Sequence, residues 1–110
     1  MKPLLLSFVF LFGLTQSALA NPVTNDTVIN GPIYIVGNSA AVTLDYPNLE
    51  FVNGPIYIVN NPHLTTISFP KLLYVNGPIY ITYNMSLKAA TYPRLKFVNG
   101  PIYRYGNLSK

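Results

Sequence analysis

The pentapeptide Asn-Gly-Pro-Ile-Tyr begins at Asn30, Asn53, Asn76 and Asn99, a spacing of 23 residues each time. A period this strict constrains the fold more than composition does, because each unit must bury its apolar residues against the next. The likeness runs past the pentapeptide. The last three copies are entered by Phe51-Val52, Tyr74-Val75 and Phe97-Val98, and eight residues after each leading Asn stands another, at Asn38, Asn61, Asn84 and Asn107. Each complete unit closes with aromatic-Pro-x-Leu, at Tyr46-Pro47-Asn48-Leu49, Phe69-Pro70-Lys71-Leu72 and Tyr92-Pro93-Arg94-Leu95. The repeats are therefore 30–52, 53–75, 76–98 and a partial 99–110, aligned without a gap.

The runs Ile33-Tyr34-Ile35-Val36, Ile56 to Val59 and Ile79 to Thr82 read as strands, being β-branched or aromatic and bounded by turn residues. Alternation sends the isoleucines to one face and Tyr34, Tyr57 and Tyr80 to the other. Two further apolar sets recur: Leu44/Tyr46, Ile67/Phe69 and Ala90/Tyr92, then Leu49/Val52, Leu72/Val75 and Leu95/Val98. Proline recurs too often for a helix, so the repeat region is expected to be all-β. Asn-Gly alone would suggest antiparallel hairpins. Here a Pro follows each Gly and removes the donor that should open the next strand. The period and the equivalent Asn and Pro corners favour a parallel β-solenoid of about three and a half coils, stacked at about 4.8 Å.

The first twenty residues read as a secretory signal peptide, with Lys2, an apolar stretch from Leu4 to Leu14 and a small-residue site at Ala18-Leu19-Ala20. A membrane anchor is the alternative, but that stretch is shorter than the ~20 residues a span needs. Residues 21–27 are then a polar lead-in and 28–110 the solenoid, with no membrane span in the mature chain. The sequence has no cysteine, so a small secreted domain of this kind must be held by stacking instead of disulfides. Sequons at Asn25, Asn84 and Asn107 are candidate glycosylation sites on exposed positions. Asp26, Asp45 and Glu50 all precede Phe51, and every basic residue after Lys2 lies between Lys71 and Lys110. That asymmetry suits an anionic glycan or surface, or simply a solvated face. The basic residues are too scattered to suggest nucleic acid.

Leu72-x-x-Val75-x-x-x-Ile79-x-Ile81-x-x-Asn84 resembles the leucine-rich repeat pattern, with one extra residue in the Asn76-Gly77-Pro78 turn. With Asn60-Asn61-Pro62-His63-Leu64 and Ile67 to Leu72, it is similar to the receptor L-domain. It looks most like the version in fungal cell-wall GPI proteins. The likeness covers Val28 to Asn107. Such proteins usually carry paired Gly where this chain has Asn-Gly, are longer, have cysteine-bearing ends, and when anchored end in a hydrophobic tail. The resemblance implies a right-handed solenoid, a cell-surface or wall location, and a binding or structural role.

Catalytic chemistry is poorly supported. His63 is the sole histidine, in the variable stretch of one repeat. Asp45 and Glu50 flank the Pro47 corner, but Ser68 and Leu73 replace them in the next repeat, so a glycosidase pair gives way to solvated surface acids. One histidine without cysteine makes no transition-metal ligand set, and no cofactor motif is present. The tyrosines are the candidate binding set. Tyr34, Tyr57, Tyr80 and Tyr103 stack at one repeat position, with Phe51, Tyr74 and Phe97 as a second column. Either set can serve only to brace the sheet, or it can form a strip for a glycan or protein. Asn38, Asn61, Asn84 and Asn107 read as corner amides that satisfy the backbone.

The expected function is a secreted, non-enzymatic repeat protein of cell surface or wall, binding glycan or protein through its aromatic strand face. A secreted effector or receptor ligand is the alternative, as is a fragment of a longer L-domain protein. Open strand edges at the two ends allow end-to-end self-association. In the fourth unit Arg104 replaces the inward isoleucine. The strand is therefore expected to end near Ile102-Tyr103, with loose residues beyond and Arg104 reaching solvent as a stop.

Overall fold

The computed structural model describes residues 25–109. The expected signal peptide and the first residues of the lead-in lie outside them. No helix occurs among the described residues; eleven strands follow one another in three interleaved sets. The first set is β1 (Val28–Ile29), β4 (Phe51–Val52), β7 (Tyr74–Val75) and β10 (Phe97–Val98). The second is β2 (Ile33–Val36), β5 (Ile56–Val59), β8 (Ile79–Thr82) and β11 (Ile102–Tyr105). The third is β3 (Thr43–Asp45), β6 (Thr66–Ser68) and β9 (Ala89–Thr91). Each set forms one sheet, of four, four and three strands, and every pairing is parallel. Ile33 pairs with Ile56 and Ile56 with Ile79, so equivalent residues stack directly. The chain is a parallel β-solenoid, one coil per repeat.

The Asn-Gly-Pro turn explains why stacking replaces hairpins. A Cβ on Gly54 would lie 2.7 Å from the Gly31 carbonyl carbon, and one on Gly77 2.7 Å from the Pro55 nitrogen. Successive turns thus touch backbone to backbone, where only glycine fits. The prolines lose no ladder bond as acceptors: the N–H groups of Ile33, Ile56 and Ile79 donate to the carbonyls of Pro55, Pro78 and Pro101 at 3.0 Å.

All three sheets face one core. Ile35, Ile58 and Ile81 enter it from the second sheet, Leu44 and Ile67 from the third, Val52 and Val75 from the first, all at most 1% exposed. Tyr46 and Phe69 stack inside it at 4.9 Å. Full burial of one such aliphatic side chain contributes about 1.5–3 kcal/mol, so the repeated columns supply the stability that cysteine cannot.

The end of the chain differs from the sequence expectation. β11 does not stop at Tyr103; it pairs with β8 through Tyr105, in the same register as the other coils. Nor are the following residues loose: Asn107 joins the corner amides, and Ser109 N–H donates to Leu87 O at 2.9 Å. Arg104 is half-buried, its NH1 donating to Tyr92 Oη at 3.2 Å with the guanidinium 5.8 Å from that ring. Parallel ladder bonds and the Tyr92 ring hold the arginine across the end of the core, so a charge at an inward position did not end the strand.

Candidate functional site

The second sheet sets the geometry of the tyrosine row. Its inward isoleucines fix the pleat, which leaves Tyr34, Tyr57, Tyr80 and Tyr103 on the outer face in direct register. Ring centroids of Tyr57 and Tyr80 lie 5.0 Å apart at 19°, and those of Tyr80 and Tyr103 4.8 Å apart at 28°. Tyr34 meets Tyr57 edge-on, at 5.7 Å and 69°. The end rings Tyr34 and Tyr103 are exposed and the middle two half-buried. Both faces of Tyr80 are therefore occupied by neighbours. What the row offers outward is ring edges and hydroxyls, repeated once per coil. Desolvation first, then the nearby Tyr103, Tyr57 and Tyr105, push the Tyr80 phenol above its ordinary pKa.

The second aromatic column forms as expected on the first sheet. Phe51 and Tyr74 lie 6.3 Å apart, Tyr74 and Phe97 4.9 Å apart and stacked. Two tyrosines missing from the expected strip enlarge it. Tyr105 is at the outward position held by Val36, Val59 and Thr82 in the other coils, and its ring meets Tyr103 at 6.4 Å and Tyr83 at 5.5 Å. Tyr83 has φ 57, at a place where the other coils have Gly37, Asn60 and Gly106, all with positive φ. Its ring is packed over Gly106, where a Cβ would lie 2.5 Å from it. The sequence signal was present: an aromatic in a column otherwise given to residues that tolerate the left-handed region.

The corner asparagines do what the sequence reading assigned to them. Asn61 Nδ2 donates to Ile35 O at 3.0 Å and to Asn84 Oδ1 at 2.9 Å, while Asn84 Nδ2 donates to Ile58 O at 2.9 Å. The backbone N–H groups of Asn38, Asn61 and Asn84 each donate to the next amide oxygen, at 2.9 to 3.0 Å. This ladder corrects the expected exposure of the Asn84 sequon: the side chain is fully buried with its amide nitrogen committed. Asn107 is half-buried and its Nδ2 donates to Ile81 O at 2.7 Å. Asn25 alone of the three is exposed. A second ladder, on the surface, was not foreseen: Asn53 Nδ2 donates to Asn30 Oδ1 at 2.7 Å and Asn99 Nδ2 to Asn76 Oδ1 at 3.0 Å.

The other candidates stay apart from the aromatic face. His63 is exposed at the corner after β5, Asp45 is exposed on β3, and Glu50 is half-buried just before β4. Among the described residues no three His, Cys, Asp or Glu side chains gather as metal ligands. Comparisons of the chain with protein-family models, with characterised proteins and with solved structures return no match.

Proposed function

We propose that the protein is a secreted, non-enzymatic repeat protein of the cell surface or wall that binds an extended glycan along its tyrosine row. The observation that carries this reading is the row Tyr34, Tyr57, Tyr80 and Tyr103, in register at 4.8 to 5.7 Å. A row of identical groups at constant spacing is suited to a ligand that itself repeats, such as an extended polysaccharide lying across the strands. Each phenol combines apolar edge with a donor and acceptor at its tip. The signal-peptide pattern, the resemblance to fungal L-domain-type repeats and the exposed Asn25 sequon support an extracellular setting.

One observation favours a protein partner, as for an effector or receptor ligand. The stacked faces of Tyr57 and Tyr80 leave little ring surface for a sugar to lie flat upon. Retention on insoluble β-glucan, chitin and mannan separates the two readings. The parent should be retained on at least one of them, and Tyr34→Ser/Tyr57→Ser/Tyr80→Ser should elute early. Lys71→Ala/Arg94→Ala should change mainly the salt dependence. Equal retention of parent and triple variant would remove the row from binding; no retention of the parent on any polysaccharide leaves the protein reading.

A further inference from the structure

The Asn-Gly-Pro turns carry a chemistry of their own. Asn30, Asn53, Asn76 and Asn99 are exposed, and each precedes a glycine. With no Cβ, glycine leaves its backbone nitrogen unhindered and its backbone free to turn. In an open chain, base removes the Gly N–H proton and the nitrogen attacks Cγ of the preceding Asn. A C–N bond forms, the Cγ–Nδ2 bond breaks, and Nδ2 leaves as ammonia. Water then opens the five-membered imide. Attack at Cγ gives aspartate, and attack at the backbone carbonyl gives isoaspartate, whose chain runs through the former side chain and is one methylene longer.

We propose that Asn53 and Asn76 are latent sites of this modification, inert while the coils are stacked and converted once the stack opens, and that conversion prevents restacking. To reach Cγ, the Gly peptide must swing about the Asn Cα–C bond. In the stack it has no room to do so. At Asn53 the turns on both sides press against it: a Cβ on Gly54 would lie 2.7 Å from the Gly31 carbonyl carbon, and one on Gly77 2.9 Å from the Gly54 carbonyl carbon. At Asn76 the turn is held between Pro55, 2.7 Å from a Cβ on Gly77, and Gly100, whose own Cβ would lie 3.0 Å from the Pro78 nitrogen. Both asparagines are also fixed by hydrogen bonds. Their N–H groups donate to Ile29 O and Val52 O at 2.8 Å. Asn53 Nδ2 donates to Asn30 Oδ1 at 2.7 Å, and Asn76 Oδ1 accepts from Asn99 Nδ2 at 3.0 Å.

The same packing makes the product incompatible with the coil. The Asn N–H bond to the coil before and the bonds from Ile33 and Ile56 N–H to Pro55 O and Pro78 O, at 3.0 Å, lie within three residues of each other along the chain. An extra methylene between them cannot leave both in register. Aspartate, the other product, replaces a donor by a second acceptor: at residue 53 it faces Asn30 Oδ1, and the surface ladder loses that bond. This chemistry belongs to the turns and is independent of what the tyrosine row binds.

The test ages the purified chain in mildly alkaline buffer, folded or in urea, and maps deamidated and isoaspartyl peptides over time. Conversion at Asn53 and Asn76 should be at least about 10-fold slower in the folded chain, because it proceeds only through local opening. After removal of urea, the aged chain should recover its β circular-dichroism signal in inverse proportion to its isoaspartate content. Asn30→Gln/Asn53→Gln/Asn76→Gln/Asn99→Gln keeps the amides but closes the smaller imide no longer, so it should refold equally well before and after ageing. Asn53→Gln/Asn76→Gln serves in its place if the fourfold variant does not fold. Equal conversion of folded and unfolded chain at the two sites overturns the proposal. So does an aged, converted parent that refolds like fresh protein, or a Gln variant that loses refolding as fast as the parent.

Discussion

Tyr46 shows how far the core tolerates a mismatch at one residue. Its ring stacks on Phe69, but its hydroxyl is buried with no hydrogen-bond partner. The next coil has Phe at that place, which removes the difficulty, and in the third coil Tyr92 Oη accepts from Arg104. Tyr46→Phe should therefore stabilise the fold by about 1–2 kcal/mol, read as a higher urea midpoint. Burial also pushes the Tyr46 phenol well above its ordinary pKa of 10.0. The folded state prefers the neutral phenol, so its contribution is intact below pH ~10 and is lost as pH rises beyond that. Tyr46→Phe should lose less stability than the parent between pH 9 and 11. Identical alkaline profiles for the two proteins would mean that water reaches the hydroxyl.

Glycine in the repeat serves two ends that a stability measurement separates. At Gly77 it permits backbone contact with Pro55 in the coil before. At Gly37 nothing lies near, but φ is 68. Gly77→Ala should cost about 1–3 kcal/mol from overpacking, whereas Gly37→Asn should be nearly neutral, because Asn60 already occupies that conformation one coil later. A reversed order of unfolding midpoints would contradict the assignment of close approach to the Asn-Gly-Pro turns.

At the scale of the element, alternation within the second sheet's strands made inside and outside legible. Ile56 and Ile79 are buried and Tyr57 is not, because a two-residue period leaves no choice once one face is apolar. Ile56→Asp should abolish the cooperative unfolding transition, since a carboxylate in the core has no partner, while Tyr57→Ser should keep the β circular-dichroism signal. Equal loss in both would undo that division. The end of β11 was not legible, for a physical reason. Side-chain burial alone argues that Arg104 ends the strand, but four residues of parallel ladder and the Tyr92 ring act on the same segment and prevail. The burial of Asn84 was not legible for a related reason. A sequon is a local triplet, whereas the burial of that amide depends on carbonyls and amides a whole coil away.

For the whole molecule, repetition keeps one strand register at each boundary between coils, and the internal amide ladder runs through all four units from Asn38 to Asn107. The tyrosine row braces the second sheet as well as facing outward, since aromatic columns pack across parallel strands. Cross-strand pairs of this kind are worth about 0.2–1 kcal/mol each, so removing three rings should cost about 1–3 kcal/mol if bracing is secondary. The most direct test measures unfolding midpoint and polysaccharide retention on one preparation of Tyr34→Ser/Tyr57→Ser/Tyr80→Ser. A binding row requires a folded protein with a modestly lower midpoint and lost retention. A triple variant that binds as the parent does would contradict it and make the row a brace.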